Sequence, residues 1–422
     1  MAMFSKKPQV ELITGLDIGS TAVRVAVGKL DIAEGRNANL QILATVEVPS
    51  EGVHKGVVTN IEEAVSSISH ALEQTERVTG VPVEHAWVGI SGTHINTQES
   101  RGVVAVAKSD GEISIEDVER AVDAARTVAT PLNYEILHVL PRSFSVDGQT
   151  GIKDPVGMSG IRLEVETKII QGSTSYINNL TKAVYRTGID IDDLVFSALA
   201  SSESVISPRQ KDLGVAVVNI GGNTTSLVVF EEGDILHASV IPIGSEHITN
   251  DLAIGLRSPI EVAERVKQEF GECVGIGINK KDTIDLMAVG AENSEIVFRK
   301  DIVNYIGART EEILEKIDAE LVKAGRSHLL PAGIIFTGGG SKLTGLVELS
   351  KEVLGLPASL GHSAGIVGVT EHISDLSFTT AIGLVKWGTQ VRVGSFRPGR
   401  GGLDKIEHVS NRVKGWFKSL VP

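Results

Sequence analysis

Two glycine-centred turns in this sequence carry the groups that grip an anion. Leu16-Asp17-Ile18-Gly19-Ser20-Thr21 and Val218-Asn219-Ile220-Gly221-Gly222-Asn223-Thr224-Thr225 each join two apolar runs. A tip without side chains lets backbone N–H groups come close to a phosphate. Ser20, Thr21, Thr224 and Thr225 add hydroxyls at the same places. Either turn alone reads as an ordinary hairpin. The pair, about 200 residues apart, reads as two related halves whose tips can hold a polyphosphate from both sides. A third segment, Ile334-Ile335-Phe336-Thr337-Gly338-Gly339-Gly340-Ser341-Lys342, is an apolar strand running into bare backbone, a surface suited to a flat base or ribose.

The elements that must position these turns are legible nearby. Strands are expected at Ile13 to Ile18, Val23 to Val27 and Leu40 to Val48, and again at Val215 to Ile220 and Thr225 to Phe230. Ile61, Ala64, Val65, Ile68, Ala71 and Leu72 recur at helical spacing and predict a helix from Ile61 to Thr79. A helix starting at Ser114 reaches about Val128, an alternating strand covers Leu163 to Gln171, and a helix covers Ser175 to Thr187. Ser258-Pro259-Ile260-Glu261 predicts a helix start with Ser258 as cap. Ile302, Ile306, Ile313, Ile317 and Leu321 give one stripe to a long helix from Ile302 to Ala324. Glu264 and Lys267 share a helix face, which by itself reads as a surface ion pair.

Size and charge bound the rest. A chain of 422 residues exceeds one ordinary core and predicts two lobes or several subdomains. The net charge of -13 argues against nucleic acid as a general partner. The single cysteine, Cys273, allows no internal disulfide and reads as a small core residue in a reducing compartment. No signal peptide and no run of ~18 apolar residues is recognisable, so the chain is expected to be neither secreted nor integral to a membrane.

The C-terminal end breaks the acidic pattern. Residues 391–402 include the run Gly394 to Gly402, of linker composition, and 403–422 are expected to form an amphipathic helix. At about 100° per residue, Ile406, Val409, Val413, Trp416, Phe417, Leu420 and Val421 fall in one sector. Lys405 and Arg412 flank it on one side, Lys414 and Lys418 on the other. A Trp/Phe face bordered by cations suits a helix lying in a membrane interface. A helix docked on the protein's own core would share the amphipathic pattern; the glycine-rich linker and local positive charge favour anionic lipid.

The ordered set of two hairpins and glycine triplet resembles the phosphate-1, phosphate-2 and adenosine signature of the actin, sugar kinase and heat-shock chaperone superfamily. Within it, Pro141-Arg142-Ser143-Phe144-Ser145-Val146-Asp147-Gly148, Asp154-Pro155-Val156-Gly157-Met158-Ser159-Gly160, Leu199-Ala200-Ser201-Ser202 and Val266-Lys267-Gln268-Glu269-Phe270-Gly271 resemble the FtsA family of bacterial cell-division proteins. The resemblance implies an α/β, actin-like fold of two lobes with ribonuclease H-like cores. Lobe I would comprise 9–82 and 161–197, with an inserted subdomain 1C at 83–160. Lobe II would run from 198 to 390, its part 2B at about 245–308.

It implies ATP and Mg²⁺ as cofactors. Asp17 and Asn219 would face the metal through water. Gly19, Ser20, Thr21 and Arg24 would meet the phosphates from one side, and Gly221, Gly222, Asn223, Thr224 and Thr225 from the other. Glu264 and Lys267 would lie at the ribose and base, with Gly338, Gly339, Gly340 and Ser341 at the adenosine. Most relatives have aspartate where this chain has Asn219, and Ser197 stands where actin has a glutamine that positions water. An amide carries no charge and is no base, so at most weak ATP hydrolysis is expected. Arg309, with Arg299 and Lys300 upstream, would receive the acidic tail of the tubulin homologue FtsZ. Further implied partners are the chain itself in a filament, anionic lipid, and other division proteins through subdomain 1C. The expected place is the cytoplasmic side of the membrane at the division site. A PilM-type pilus-assembly actin and a sugar or acid kinase are the competing readings; Asn219 argues against the kinase and the tail against PilM.

Overall fold

The computed structural model describes residues 9–32, 38–127, 131–275, 277–279, 281–368 and 370–395. Of the expected linker 391–402, residues 391–395 instead continue the last described helix, which runs on unbroken from Thr379. The rest of the linker and the amphipathic helix 403–422 lie outside the described residues.

The first lobe opens with β1 (Gln9–Ile18), which turns through Gly19–Thr21 into antiparallel β2 (Ala22–Ile32) and then β3 (Ala38–Pro49). A tiny ladder, β4 (Val53–His54) with β5 (Val57–Val58), precedes α1 (Ile61–Thr79). The bounds of α1 are set locally. Asn60 Oδ1 accepts from the N–H groups of Glu62 and Glu63, and Gly80 closes the helix at φ 71°. Next, β6 (His85–Ile90) lies parallel to β1.

An inserted layer follows: β7 (Asn96–Ala105), α2 (Ile115–Thr127), β8 (Tyr134–Val146), β9 (Gln149–Ile152) and β10 (Arg162–Ser173). Its sheet order is β7-β10-β8-β9, with its own core of Ile113, Val118, Val122, Phe144, Leu163 and Val165 under α2. Strand β10 is central in that sheet although the insertion was expected to end at residue 160, and β6 pairs in the main sheet although it was expected inside the insertion. The chain re-enters the first lobe with α3 (Thr174–Tyr185), β11 (Asp190–Phe196) and α4 (Ser197–Val205).

The second lobe repeats the scheme. After α5 (Pro208–Leu213) come β12 (Val215–Ile220), β13 (Thr225–Glu231) and β14 (Asp234–Ile241), then α6 (Ser245–Leu256) and α7 (Ile260–Phe270). A small ladder, β15 (Thr283–Asp285) with β16 (Ile296–Phe298), leads into α8 (Arg299–Lys323). Then follow β17 (Ile334–Thr337), α9 (Leu346–Leu354) and β18 (Ala358–Leu360). The sheet order β14-β13-β12-β17-β18 mirrors β3-β2-β1-β6-β11 of the first lobe, with the same antiparallel and parallel neighbours. The internal repeat read from the two hairpins is thus a repeat of whole sheets.

The chain then crosses back. β19 (Val367–Gly368) adds to β3, and α10 (Thr379–Ser395) packs on β1, β2 and β6. Ile382, Leu384 and Val385 of α10 share a core with Ile13, Ala26, Leu30, Trp87 and Val195. α10 also crosses α4 closely, because a Cβ at Gly383 would overlap the Ala200 carbonyl oxygen. The expected second lobe, 198–390, therefore includes segments that pack on the first.

Two local expectations need correcting. Ser258 does not cap α7: Pro259 occupies the cap position, and no side chain caps the helix. Ser258 is engaged one residue too early, its N–H donating to Ala253 O at 3.0 Å to close α6. The long helix begins at Arg299 rather than Ile302.

Candidate functional site between the lobes

The two turns meet at their tips, at the cleft between the lobes, and close in the same way. Gly19 N–H donates to Ala22 O at 3.1 Å, and Gly221 N–H to Thr224 O at 2.9 Å. A Cβ on Gly222 would overlap Thr21 Cγ2 and stand 2.9 Å from Glu246 Oε1, so the tips abut. Both ends of the Asn223 amide are engaged: Oδ1 accepts from Lys55 N–H at 3.3 Å, and Nδ2 donates to Glu246. Thr225 is fully buried and its hydroxyl donates to Ile243 O at 2.8 Å. These side chains shape the tip, while Thr21 and Thr224 keep solvent access.

A third piece joins the tips. The Lys55–Gly56 turn between β4 and β5 has φ 49° and 75°, the geometry of a tight two-residue hairpin. Lys55 N–H reaches Asn223 of one lobe, and Gly56 N–H donates to Ser20 Oγ of the other at 3.1 Å. Neither Lys55 nor Glu246 stood out in the sequence; the Lys-Gly pair before Asn60 was the available signal for the turn.

The floor behind the tips is made by Asp17 and Ser197 on the first lobe and by Asn219 on the second. A Cβ at Gly89 would lie 2.9 Å from Ser197 Oγ and 3.4 Å from Asp17 Oδ1. Asn219 Nδ2 donates to Thr380 Oγ1 at 3.1 Å, at the first turn of α10, which fixes Oδ1 toward Gly338. Arg24 stands opposite Asp17 across the β1–β2 pair and holds Glu47 at 2.6 Å. Burial pushes the Asp17 carboxyl up to about 6, with the Arg24 charge pulling the other way. A half-buried carboxylate at the base of the first turn suits a hydrated Mg²⁺, which binds through one or two carboxylates plus phosphates rather than a protein cage. Among the described residues no group of three His, Cys, Asp or Glu side chains could hold a metal alone.

The sign of the Asp17 shift makes a prediction. Its folded value lies above the ordinary 3.8 of a free carboxyl, so the fold favours the proton and loses stability as pH rises from 3.8 to about 6. Without nucleotide, Asp17→Asn is expected to melt higher than the unaltered chain at pH 8, and the gap to shrink as pH falls through 6. A melting gap of equal size at pH 4.5 and pH 8 would overturn this account.

On the second lobe, Gly338 has φ 87°, and a Cβ there would overlap Asn219 Oδ1. Gly339 is exposed, while Gly340 packs on Ile220 and Ser245. The Ser341 hydroxyl is buried and donates to Thr337 O at 2.6 Å. Lys267 is only 8% exposed, not a surface residue. Its Nζ bonds Glu264 at 2.6 Å, Thr249 Oγ1 at 2.8 Å and Ser245 O at 3.4 Å, fastening α7 to α6 beside the glycine triplet. Burial alone would raise the Glu264 carboxyl, but Lys267 and the Thr249 hydroxyl hold it below the ordinary carboxylate range.

The three basic residues of α8 do not converge. Arg299 pairs with Glu272 at 2.5 Å in the first turn, where Lys300 is exposed. Arg309 lies near mid-helix, 25% exposed, its guanidinium forked onto Asp251 at 2.5 and 2.9 Å and paired also with Glu312.

Residues 216–383 match the family model "Cell division protein FtsA", and residues 92–171 match "SHS2 domain inserted in FTSA". The chain is 37% identical to cell division protein FtsA of Pseudomonas aeruginosa, over 90% of each chain. It is 38% identical to that of Bacillus subtilis, over 89% of this chain and 83% of the relative. With that of Escherichia coli K12 it shares 31%, over 97% and 96%. Among solved structures, a PilM-PilN type IV pilus biogenesis complex has a TM-score of 0.63 at 17% identity, covering 89% of this chain and 98% of that one. MreB 5 of Spiroplasma citri bound to AMPPNP has 0.54 at 13%, covering 91% and 98%. Both likenesses concern the fold, which is actin-like.

Proposed function

Because the chain belongs to the FtsA family of cell division proteins, we propose that it binds ATP with Mg²⁺ between its lobes, polymerises on the inner face of the cytoplasmic membrane, and tethers FtsZ filaments there. The observation that carries the nucleotide reading is the pair of matched hairpin tips, one from each lobe, closed by Gly19 N–H to Ala22 O and Gly221 N–H to Thr224 O, with Asp17 at the base of the first. Backbone N–H groups and the Thr21 and Thr224 hydroxyls would meet the phosphates. Asp17, and Asn219 through its amide oxygen, would orient the waters of Mg²⁺, which neutralises phosphate charge when bound. Gly338, Gly339 and Gly340 offer bare backbone to the adenosine, and the Glu264–Lys267–Thr249 cluster braces that wall.

Hydrolysis is a separate matter. Ser197 lies close to Asp17 and Asn219 faces Gly338 on the second lobe, and neither can take a proton from water at neutral pH. Slow or undetectable turnover is expected, far below a typical enzyme's ~10 s⁻¹. Asn219→Asp should raise it, since Thr380 Oγ1 can donate to the new carboxylate as readily as it now accepts from the amide. An unaltered chain turning over at an ordinary enzymatic rate would sink this reading of the floor.

For the FtsZ tail, an incoming carboxylate must compete with Asp251 and Glu312 for Arg309. Arg309→Glu is expected to weaken binding of a labelled acidic tail peptide by about tenfold or more, read by fluorescence anisotropy, while nucleotide affinity stays put. Unchanged peptide affinity would move the contact elsewhere on the lobe. The whole proposal is tested by electron microscopy on anionic lipid monolayers with ATP. Filaments on the lipid are expected, and their absence under conditions where nucleotide is bound would refute it.

A further inference from the structure

The inserted layer is not attached to the first lobe alone. It lies along β14, the edge strand of the second lobe's sheet. Thr97 Oγ1 of β7 donates to Ala238 O at 3.1 Å, covering an edge carbonyl that would otherwise face outward. Leu137 and Leu140 of β8 and Ile170 of β10 belong to the same buried cluster as Phe230, Ile235 and Ala238.

The polar fastening sits at the β13–β14 turn. Glu232 and Gly233 form its tip with φ 53° and 83°. Asp234 beside them is only 5% exposed. Lys153, following β9, pairs with the Asp234 carboxylate and donates to Glu232 O at 3.2 Å. The charge of Arg142 on β8 also acts on Asp234, and burial keeps that carboxyl above its ordinary value despite both cations. Its neighbour Glu231 is forked by Arg326 of the second lobe itself. An acidic turn is thus held by a cation from another subdomain, across 81 residues of sequence.

The other end of these strands is the phosphate tip. Thr225 at the start of β13 bonds Ile243 O just past β14, and Gly244 packs on the carbonyls of Gly221 and Gly222. We infer that Lys153 clamps the inserted subdomain to the second lobe, so that opening or closing of the cleft around a nucleotide moves the insert with it. The insert then presents a different surface in each nucleotide state, and breaking the clamp loosens both the insert and the cleft. This inference rests on nucleotide binding between the lobes as proposed above.

The test uses the full chain with spin labels at Glu112 on the insert and Arg209 on the second lobe, both exposed; native Cys273 is buried. Lys153 is half exposed, so Lys153→Glu and Lys153→Arg should both fold, with melting checked in each. Lys153→Glu should broaden the label distance distribution and speed release of a fluorescent ATP analogue by roughly two- to tenfold. Lys153→Arg should leave both at the unaltered value, because it keeps the charge on Asp234. A broadened distance with unchanged release would show a strut without coupling and overturn the inference. So would unchanged values of both in Lys153→Glu, or equal effects of Glu and Arg. If the unaltered chain binds no nucleotide, the nucleotide reading falls and the coupling with it, while the distance measurement alone still decides whether Lys153 holds the insert.

Discussion

Removing Leu403 to Pro422, or replacing Trp416 and Phe417 by glutamate, is expected to abolish sedimentation of this protein with anionic liposomes. Seven apolar side chains fall in one sector from Ile406 to Val421, with Lys405, Arg412, Lys414 and Lys418 along its borders. Burying the two rings in the acyl boundary contributes a few kcal/mol, on the order of 25 cal/mol per Å² of apolar area. Each cation near an anionic surface adds roughly 1 kcal/mol. One such helix binds modestly and an array binds through avidity, so loss of the tail should also remove filaments from lipid. Neutralising the four cations alone should give a milder loss that grows with salt. Nucleotide affinity should be unaffected, because the cleft is built from residues before 396. Among the described residues no helix is long and apolar enough to cross a membrane. Equal pelleting of the truncated and full chains would mean that the tail docks on the protein's own body.

Gly338→Ala is expected to cost at least about 3 kcal/mol of stability and to remove nucleotide binding. Two penalties coincide there. The backbone sits at φ 87°, where an L side chain is strained. The added methyl would overlap Asn219 Oδ1 and stand 2.6 Å from Ile220 O, both part of the wall between β12 and β17. Gly339→Ala is the control one residue on. Its Cβ would meet only Ser377 Oγ, at 3.7 Å, and its stability should change by less than about 1 kcal/mol. Thermal melts and nucleotide titrations of the two variants should therefore diverge sharply. Similar behaviour of both would show that the glycine run is a loose linker rather than a fitted wall.

The sequence by itself determined what rests on neighbouring residues. Asn60 and Gly80 bound α1 because a cap and a left-handed stop act within one helical turn. The Gly19 and Gly221 turns were legible because an apolar run, a glycine and a second apolar run leave the chain little choice but a hairpin. Their repetition announced two similar halves, the order of turn, turn and glycine triplet carried the superfamily, and segments such as Pro141 to Gly148 and Asp154 to Gly160 carried the family. The alternation of apolar residues from Leu163 to Gln171 marked β10 as a strand, but strand alternation says nothing about which sheet the strand joins.

Tertiary structure decided the rest, because partners distant in sequence leave no local trace. Lys267 reads as a surface cation on α7, and becomes a buried fastener only when α6 brings Thr249 and the Ser245 carbonyl beside it. Arg309 reads as an available cation, and finds Asp251 only because α6 packs across α8. Asn219 gains Thr380 because the chain returns to the first lobe through α10, a crossing that helical periodicity alone cannot encode. Lys55 meets Asn223, and Lys153 meets Asp234, only once two lobes and an inserted layer close on one another. Short-range sterics and hydrogen bonding wrote the hairpins into the sequence; burial of apolar faces across long loops chose which charges those hairpins would meet.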